Sequence, residues 1–98
     1  MKETEILIVG KNPDIMPVIL RLLNKKPNWN GHMAFSADEA IDKSRDIPFD
    51  VVLLGAGLTD TEAGQICAHF TVPVVQHYGG GSGLLYAEVY QALNISLS

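Results

Sequence analysis

Short apolar runs alternate along the chain with stretches in which apolar residues recur every three or four positions. Four such runs predict β-strands, because each is four or five residues long and is bounded by Gly, Pro or polar residues. They span residues 5–9, 32–35, 50–54 and 72–75. The first and third runs are apolar at nearly every position, which is typical of strands that helices cover on both faces.

Four helices are predicted between and after these strands. The first begins at Asn12-Pro13-Asp14, where a side-chain oxygen can cap free amides, and it ends at Pro27-Asn28. Residues 36–39 and 59–62 each match a capping box, in which a Ser or Thr precedes a Glu by three positions, and they open the second and third helices. The fourth helix follows the glycine-rich segment 79–83, and its apolar face is formed by Leu85, Val89 and Leu93.

The element order βαβαβαβα predicts a parallel sheet with helices on both faces. Right-handed crossovers constrain the layout, and placing strand two outside strand one gives the sheet order 2-1-3-4. Strands three and four would then keep a bare apolar face unless the last helix folds back onto it, so we expect that helix on the same face as the first. The expected fold is a three-layer, flavodoxin-like α/β domain spanning residues 1–98.

Composition narrows the classes of function. The 98 residues suffice for one domain, and 47% of them are hydrophobic, as a packed core requires. Seven basic and eleven acidic residues give a net charge of −4, which argues against binding to nucleic acid or to an anionic membrane. The apolar run near the start is too short for a signal peptide or a membrane span, so we expect a cytoplasmic location.

Cysteine and histidine give little support for metal chemistry. The single cysteine, Cys67, excludes an intramolecular disulfide and a thiolate zinc cluster. It follows Ile66 on the third helix, and we expect it to be a small buried hydrophobic residue. The histidines His32, His69 and His77 are scattered over a strand, a helix and a loop, so neither a metal nor a cofactor is expected.

Three segments resemble the receiver domain of bacterial two-component response regulators. ILIVGKNPDI (residues 6–15) is similar to that family's first strand and loop, and residues 36–58 are similar to its second helix and third strand. VPVV (residues 72–75) is similar to its fourth strand. The resemblance covers residues 5–78 and implies a receiver-like fold with a part in signal transduction.

The chain departs from the family's pattern at the positions that carry its chemistry. The resemblance implies an acidic, magnesium-binding pair after strand one, where this chain has Gly10-Lys11, and a phosphoryl-accepting aspartate after strand three, where it has Gly55. The family's Thr or Ser after strand four is replaced by Tyr78, and its fifth strand and lysine have no counterpart. Glycine and lysine supply no carboxylate for either task, so we expect a shortened, non-enzymatic pseudo-receiver that is not phosphorylated.

A candidate anion-binding site lies where the strand order reverses, beyond the carboxyl ends of strands one and three. It comprises Gly10, Lys11, Gly55 and Gly57, because glycines allow close approach of the backbone and the lysine adds positive charge. Such a site would make the chain a sensor of a small anion or nucleotide. The alternative is that glycine stands where a functional side chain is no longer needed. The later run GGGSG matches neither common phosphate-binding signature.

A candidate protein interface lies around strand four. Without a fifth strand this region has an exposed edge, and exposed edges are templates for pairing. Tyr78, Tyr86 and Tyr90 lie nearby, and tyrosine is enriched in interfaces. We therefore expect a protein partner or a homodimer, the alternative being that these tyrosines pack on their own domain.

Overall fold

The computed structural model describes residues 3–77 and 82–97 of the chain, and its strands and helices alternate. The elements are β1 (Thr4–Val9), α1 (Met16–Asn24), β2 (Trp29–Ala34), α2 (Ala37–Ser44), β3 (Val51–Leu54), α3 (Asp60–His69), β4 (Val74–Gln76) and α4 (Ser82–Leu97). Within the described residues, no helix has the length and apolar character needed to cross a membrane.

All four strands are parallel and form one sheet in the order β2-β1-β3-β4. β1 lies inside the sheet, where Leu7 is level with His32 of β2 on one side and with Val52 of β3 on the other. Among the described strands β4 pairs with β3 alone, with Val75 level with Leu53. The predicted flavodoxin-like topology is confirmed.

Alternating residues of the sheet divide the core into two layers. Ile6 and Ile8 of β1 point toward one layer, which also contains buried side chains of α1 and α4. Leu7 and Val9 point toward the other layer, which contains residues of α2 and of α3. Because α4 contributes three buried residues to the α1 layer, the prediction that the last helix covers this face is confirmed; these residues are Leu85, Val89 and Ala92.

Several boundaries differ from those predicted. β2 begins at Trp29, three residues before the expected start, and ends at Ala34, one residue before the expected end, because its sequence WNGHMA mixes apolar, small and polar residues and contains no continuous apolar run. α1 begins at Met16, since the Asn12 side chain accepts hydrogen bonds from the amides of Asp14 and Ile15 and so caps a turn that precedes the helix. β4 begins at Val74, directly after Pro73.

Both predicted caps are present. Ser36 accepts a hydrogen bond from the amide of Glu39, although the Glu39 carboxylate accepts from the amide of Phe35 and not, as expected, from that of Ser36. At α3 the capping box of Thr59 and Glu62 is complete. The sequence therefore specifies the starts of α2 and α3 through residues only three positions apart.

The expectation that Cys67 is buried was wrong, because its thiol side chain is exposed. Ile66, one position earlier, is fully buried against β3 and its neighbours. Consecutive residues on a helix point about 100° apart, so the burial of Ile66 turns Cys67 toward the solvent.

Candidate functional site

The carboxyl ends of β1 and β3 bring Gly10 and Gly55 together, as the sequence predicts. A Cβ atom at Gly10 would lie 3.4 Å from the Cα of Gly55 and 3.0 Å from the sulfur of Met16. The amide of Gly55 donates to the carbonyl of Val9 over 2.6 Å, and the amide of Lys11 donates to that of Ala56 over 3.0 Å. These glycines therefore let two loops approach closely and hydrogen-bond to each other.

Gly57 is needed for its backbone conformation. Its φ of +92° lies in the region that favours glycine. A Cβ atom there would lie 2.7 Å from the Cβ of Lys11. The conformation of Gly57 therefore brings the loop after β3 against the Lys11 side chain.

Lys11 forms an ion pair at the same edge of the sheet. Its Nζ lies 2.9 Å from a carboxylate oxygen of Glu62, near the start of α3. The hydrogen bond from Lys11 lowers the pKa of Glu62 below its usual value, and the backbone amide of Thr59 adds to the effect. The positive charge expected to attract an anion is thus partly balanced by Glu62. The anion site at Gly10, Lys11, Gly55 and Gly57 stays a prediction.

A cleft of about 390 Å³ lies next to these loops, between the start of α1 and the ends of β3 and β4. The described residues that line it are mainly apolar: Asn12, Ile15, Met16, Ile19, Gly55, Ala56, Gln76 and His77. Lys11 is not among them. The cleft is therefore better suited to an apolar group than to a multiply charged anion.

His77 and Glu88 form a buried pair at one side of this cleft. The His77 Nδ1 lies 2.5 Å from a carboxylate oxygen of Glu88, and only about a tenth of either side chain is exposed. The pair joins the end of β4 to α4. Sequence reasoning missed it, although Glu88 is the only Asp, Glu, Lys or Arg after residue 62.

The three histidines lie apart, each with its own partner. His32 bonds Glu5 over 2.9 Å, and His69 bonds the hydroxyl of Ser44 over 2.9 Å. In the described part of the chain, no group of three or more His, Cys, Asp and Glu side chains is arranged to hold a metal ion.

Two of the candidate interface tyrosines pack on their own domain. The Tyr86 hydroxyl donates to the carbonyl of Leu22 on α1 over 2.8 Å, and its ring makes an edge contact with Trp29. The ring of Tyr90 also lies against Trp29, with centroids 5.2 Å apart, but 48% of the residue is exposed. Tyr78 lies outside the described residues. The contacts of Tyr86 and Tyr90 thus attach α4 to α1 and the start of β2.

The outer edge of β2 is covered by side chains. Residues 29, 31 and 33 direct their backbone groups away from β1, because the alternate residues bond to it. The Asn24 side chain accepts from the amide of Gly31 over 2.7 Å, and the Lys43 ammonium donates to the carbonyl of Met33 over 2.7 Å. The Asn24 and Lys43 side chains therefore bind the backbone amide of Gly31 and the backbone carbonyl of Met33, with which another strand would have to form hydrogen bonds in order to pair with β2.

The outer edge of β4 has a different character. The carbonyl of Pro73 and the amide of His77 form hydrogen bonds with β3. Because backbone groups of successive residues in a strand face opposite sides, the amides and carbonyls of Val74 and Gln76 face away from β3. None of the described residues forms a hydrogen bond with these outward groups. As far as the described residues are concerned, the β4 edge is therefore open for pairing with another strand.

Charge is distributed unevenly between the two ends of the sequence. Of the 18 charged residues (7 basic and 11 acidic), 17 lie before residue 63. The remaining one, Glu88, is bound to His77. The C-terminal half of α3, β4 and α4 thus contribute no unpaired Asp, Glu, Lys or Arg of their own, although the Lys26 ammonium lies 4.4 Å from the centre of the Tyr86 ring of α4.

Solved structures with the same architecture are receiver domains. A two-component response regulator from Clostridium difficile matches with a TM-score of 0.80 and 21% identity, over 98% of this chain and 100% of that chain. A signal receiver domain of an HD domain-containing protein from Pseudomonas fluorescens Pf-5 matches with a TM-score of 0.78 and 19% identity, over 97% and 90%. The N-terminal domain of a response regulator/sensory box/GGDEF 3-domain protein from Carboxydothermus hydrogenoformans matches with a TM-score of 0.69 and 17% identity, over 95% and 96%.

Comparisons of sequence gave a different result: no family model and no curated protein matches the chain. The likeness therefore lies in the three-dimensional structure, at identities too low to carry over an activity. Four parallel strands in the order 2-1-3-4, enclosed by four helices, give this chain the receiver fold of two-component response regulators.

Proposed function

We propose that the chain is a non-enzymatic module of bacterial signal transduction that acts by binding protein and does not accept a phosphoryl group. The observation that carries the proposal is the chemistry at the ends of β1 and β3. Gly10, Lys11 and Gly55 lie together there, and the nearby Glu62 is already bound to Lys11. Phosphoryl transfer to a receiver fold needs a carboxylate nucleophile and carboxylate oxygens for Mg²⁺, and these three residues supply neither.

The structural neighbours support a place in signalling. Their names describe response regulators and receiver domains. The C-terminal half of α3, β4 and α4, which have no unpaired Asp, Glu, Lys or Arg of their own, support contact as the mode of action, because the centres of protein interfaces are depleted in charged residues. The partner is another protein or a second copy of the chain.

A cytoplasmic location is part of the proposal. Cys67 is free and exposed, and an exposed thiol persists most readily in a reducing compartment. The net charge of −4 gives no support for a nucleic-acid partner.

The test is intact-mass spectrometry after incubation with acetyl phosphate and Mg²⁺, with a receiver domain that carries the acceptor aspartate as a control for the reagent. We expect the control to gain the mass of a phosphoryl group and this chain to keep its mass. A stable phosphoryl adduct on this chain would contradict the proposal.

A second candidate function is a small-ligand sensor, and the cleft of about 390 Å³ at the carboxyl end of the sheet favours it. Thermal-shift measurements with nucleotides, inorganic phosphate and small apolar carboxylic acids test this function. A shift with phosphate or nucleotide that Lys11→Ala removes supports the anion site. A shift with apolar acids that Lys11→Ala leaves intact assigns the ligand to the cleft, and the absence of any shift counts against a sensor.

A further inference from the structure

The two edges of the sheet differ in a way that limits how the chain associates. At β2 the Asn24 and Lys43 side chains occupy the outward amide of Gly31 and the outward carbonyl of Met33. At β4 the outward amides and carbonyls of Val74 and Gln76 have no such covering from the described residues. Pairing through backbone hydrogen bonds is therefore directed to β4. Association through a single edge ends at two chains, whereas two open edges would allow a fibre.

We propose that β4 pairs in antiparallel orientation with β4 of a second copy, about a two-fold axis that passes beside Val75. This inference rests on the proposed function, since it names the protein that the module binds. The two sheets would then join into one sheet of eight strands.

The geometry of β4 suits pairing with itself. In an antiparallel ladder, hydrogen-bonded pairs alternate with pairs that share no hydrogen bond. Val74 opposite the partner subunit's Gln76 exchanges two backbone hydrogen bonds, and Gln76 opposite the partner subunit's Val74 exchanges two more. Val75 then lies opposite the partner subunit's Val75, and this pair shares no hydrogen bond. That arrangement fits the strand, because the amide and carbonyl of Val75 face β3.

Charge permits a second copy as the occupant and disfavours a strongly charged one. In a two-fold contact the same surface meets itself, so every charge near the axis meets a like charge. The segment from Ala63 to Ala87 contains no Asp, Glu, Lys or Arg, and self-pairing of β4 therefore brings no like charges of this segment together. A strongly acidic or basic partner strand would find no opposite charge there.

Side chains on the neighbouring helices extend the contact beyond the strand. Leu84 of α4 is 46% exposed and lies one helical turn before Glu88, which reaches the end of β4, so both are on the β4 side of that helix. Cys67 of α3 lies on the side opposite His69, which bonds α2, and so it also faces the β4 edge. A three-residue strand with such flanks makes a small interface, and we expect a reversible dimer with a dissociation constant in the micromolar range, roughly 1–100 μM.

Sedimentation equilibrium over a range of concentrations in reducing buffer tests the dimer. We expect the mass to rise from 10.6 kDa toward twice that value. Gln76→Lys places a charge at the edge, and we expect it to raise the dissociation constant at least tenfold, while the lysine can still donate to the Leu54 carbonyl that Gln76 now contacts. The matched control is Gln65→Lys on α3, one turn before His69 on the α2 side, and it should leave the dissociation constant unchanged.

Amide hydrogen exchange locates the contact. Between dilute and concentrated samples, the amides of Val74 and Gln76 should gain protection, while that of Val75 should be protected in both, because it faces β3. A monomer at every concentration overturns the pairing of two copies, as does a dimer that Gln76→Lys leaves intact or that gives Val74 and Gln76 no added protection. These results are separate from the phosphorylation test: a chain that stays monomeric and unphosphorylated contradicts this inference alone, and one that is phosphorylated contradicts the proposed function whatever its mass.

Discussion

Replacing Gly57 by alanine tests whether the glycines at the carboxyl end of the sheet serve the fold or a ligand. The φ of Gly57 is +92°, a conformation that costs an alanine about 1–2 kcal/mol. The new Cβ would also meet the Cβ of Lys11 at 2.7 Å and its Cγ at 3.1 Å, so the lysine or the loop must move. Adding this displacement, we expect Gly57→Ala to lower the free energy of unfolding by about 1–3 kcal/mol.

Gly64 provides a control of opposite sign. It lies within α3, and a Cβ atom there would meet no other atom within 4 Å. An alanine in the middle of a helix is more favourable than a glycine, so Gly64→Ala should raise the free energy of unfolding by about 0.5–1 kcal/mol. Both variants replace a glycine by an alanine, so a difference between their free energies of unfolding arises from the surroundings and backbone conformation of the two positions.

Urea unfolding followed by circular dichroism measures both effects. With an m-value of about 1 kcal/mol per M, the midpoint should fall by about 1–3 M for Gly57→Ala and rise by about 0.5–1 M for Gly64→Ala. A midpoint that Gly57→Ala leaves unchanged or raises would refute the structural explanation of this glycine. In that case the space that Gly57 leaves beside Lys11 would have to be explained by something that binds there.

Three further substitutions address separate parts of the fold. Leu85→Ala should cost about 2–5 kcal/mol in unfolding free energy because the side chain is 1% exposed, and a loss below about 1 kcal/mol in urea would contradict the placement of α4 in the core. Tyr86→Phe should cost about 1 kcal/mol through the lost hydrogen bond to Leu22, and an unchanged thermal midpoint would show that this bond contributes nothing. In the folded chain the pKa of Glu62 is lowered, mainly by the hydrogen bond from Lys11. The Glu62 carboxylate therefore stabilises the fold at a pH above its usual pKa of 4.5, and this stabilisation is lost as the pH falls through the lowered pKa. Glu62→Gln can keep the capping box, so its urea midpoint should be lower than that of the unsubstituted chain at neutral pH and approach it in acid; a difference that persists in acid would contradict the ion pair.

Sequence periodicity determines much of the fold because the buried runs of β1 and β3 and the capping residues Ser36 and Thr59 are local signals. β1 is fully apolar where it is enclosed by two layers, and Ser36 and Thr59 start α2 and α3 through bonds three residues away. β2 is harder to predict, since its residues are stabilised by contacts with β1 and α1 rather than by their own pattern.

The candidate site depends more on contacts between distant segments. The grouping of Gly10 with Gly55 follows from strand order and was predictable, but the pairing of Lys11 with Glu62 joins residues 51 positions apart. The bond from the Lys43 ammonium to the Met33 carbonyl at the β2 edge joins residues only 10 positions apart, but the hydrophobic pattern does not indicate it either. A side chain's reach in three dimensions decides these bonds, and hydrophobic periodicity carries no information about it.

Sedimentation equilibrium with and without acetyl phosphate and Mg²⁺, with the intact mass read from the same samples, tests most directly whether this receiver fold acts by contact alone. We expect the same reversible association in both conditions and no gain in mass. A phosphoryl adduct, or an association that changes when acetyl phosphate and Mg²⁺ are added, would contradict the claim that the chain signals without phosphorylation.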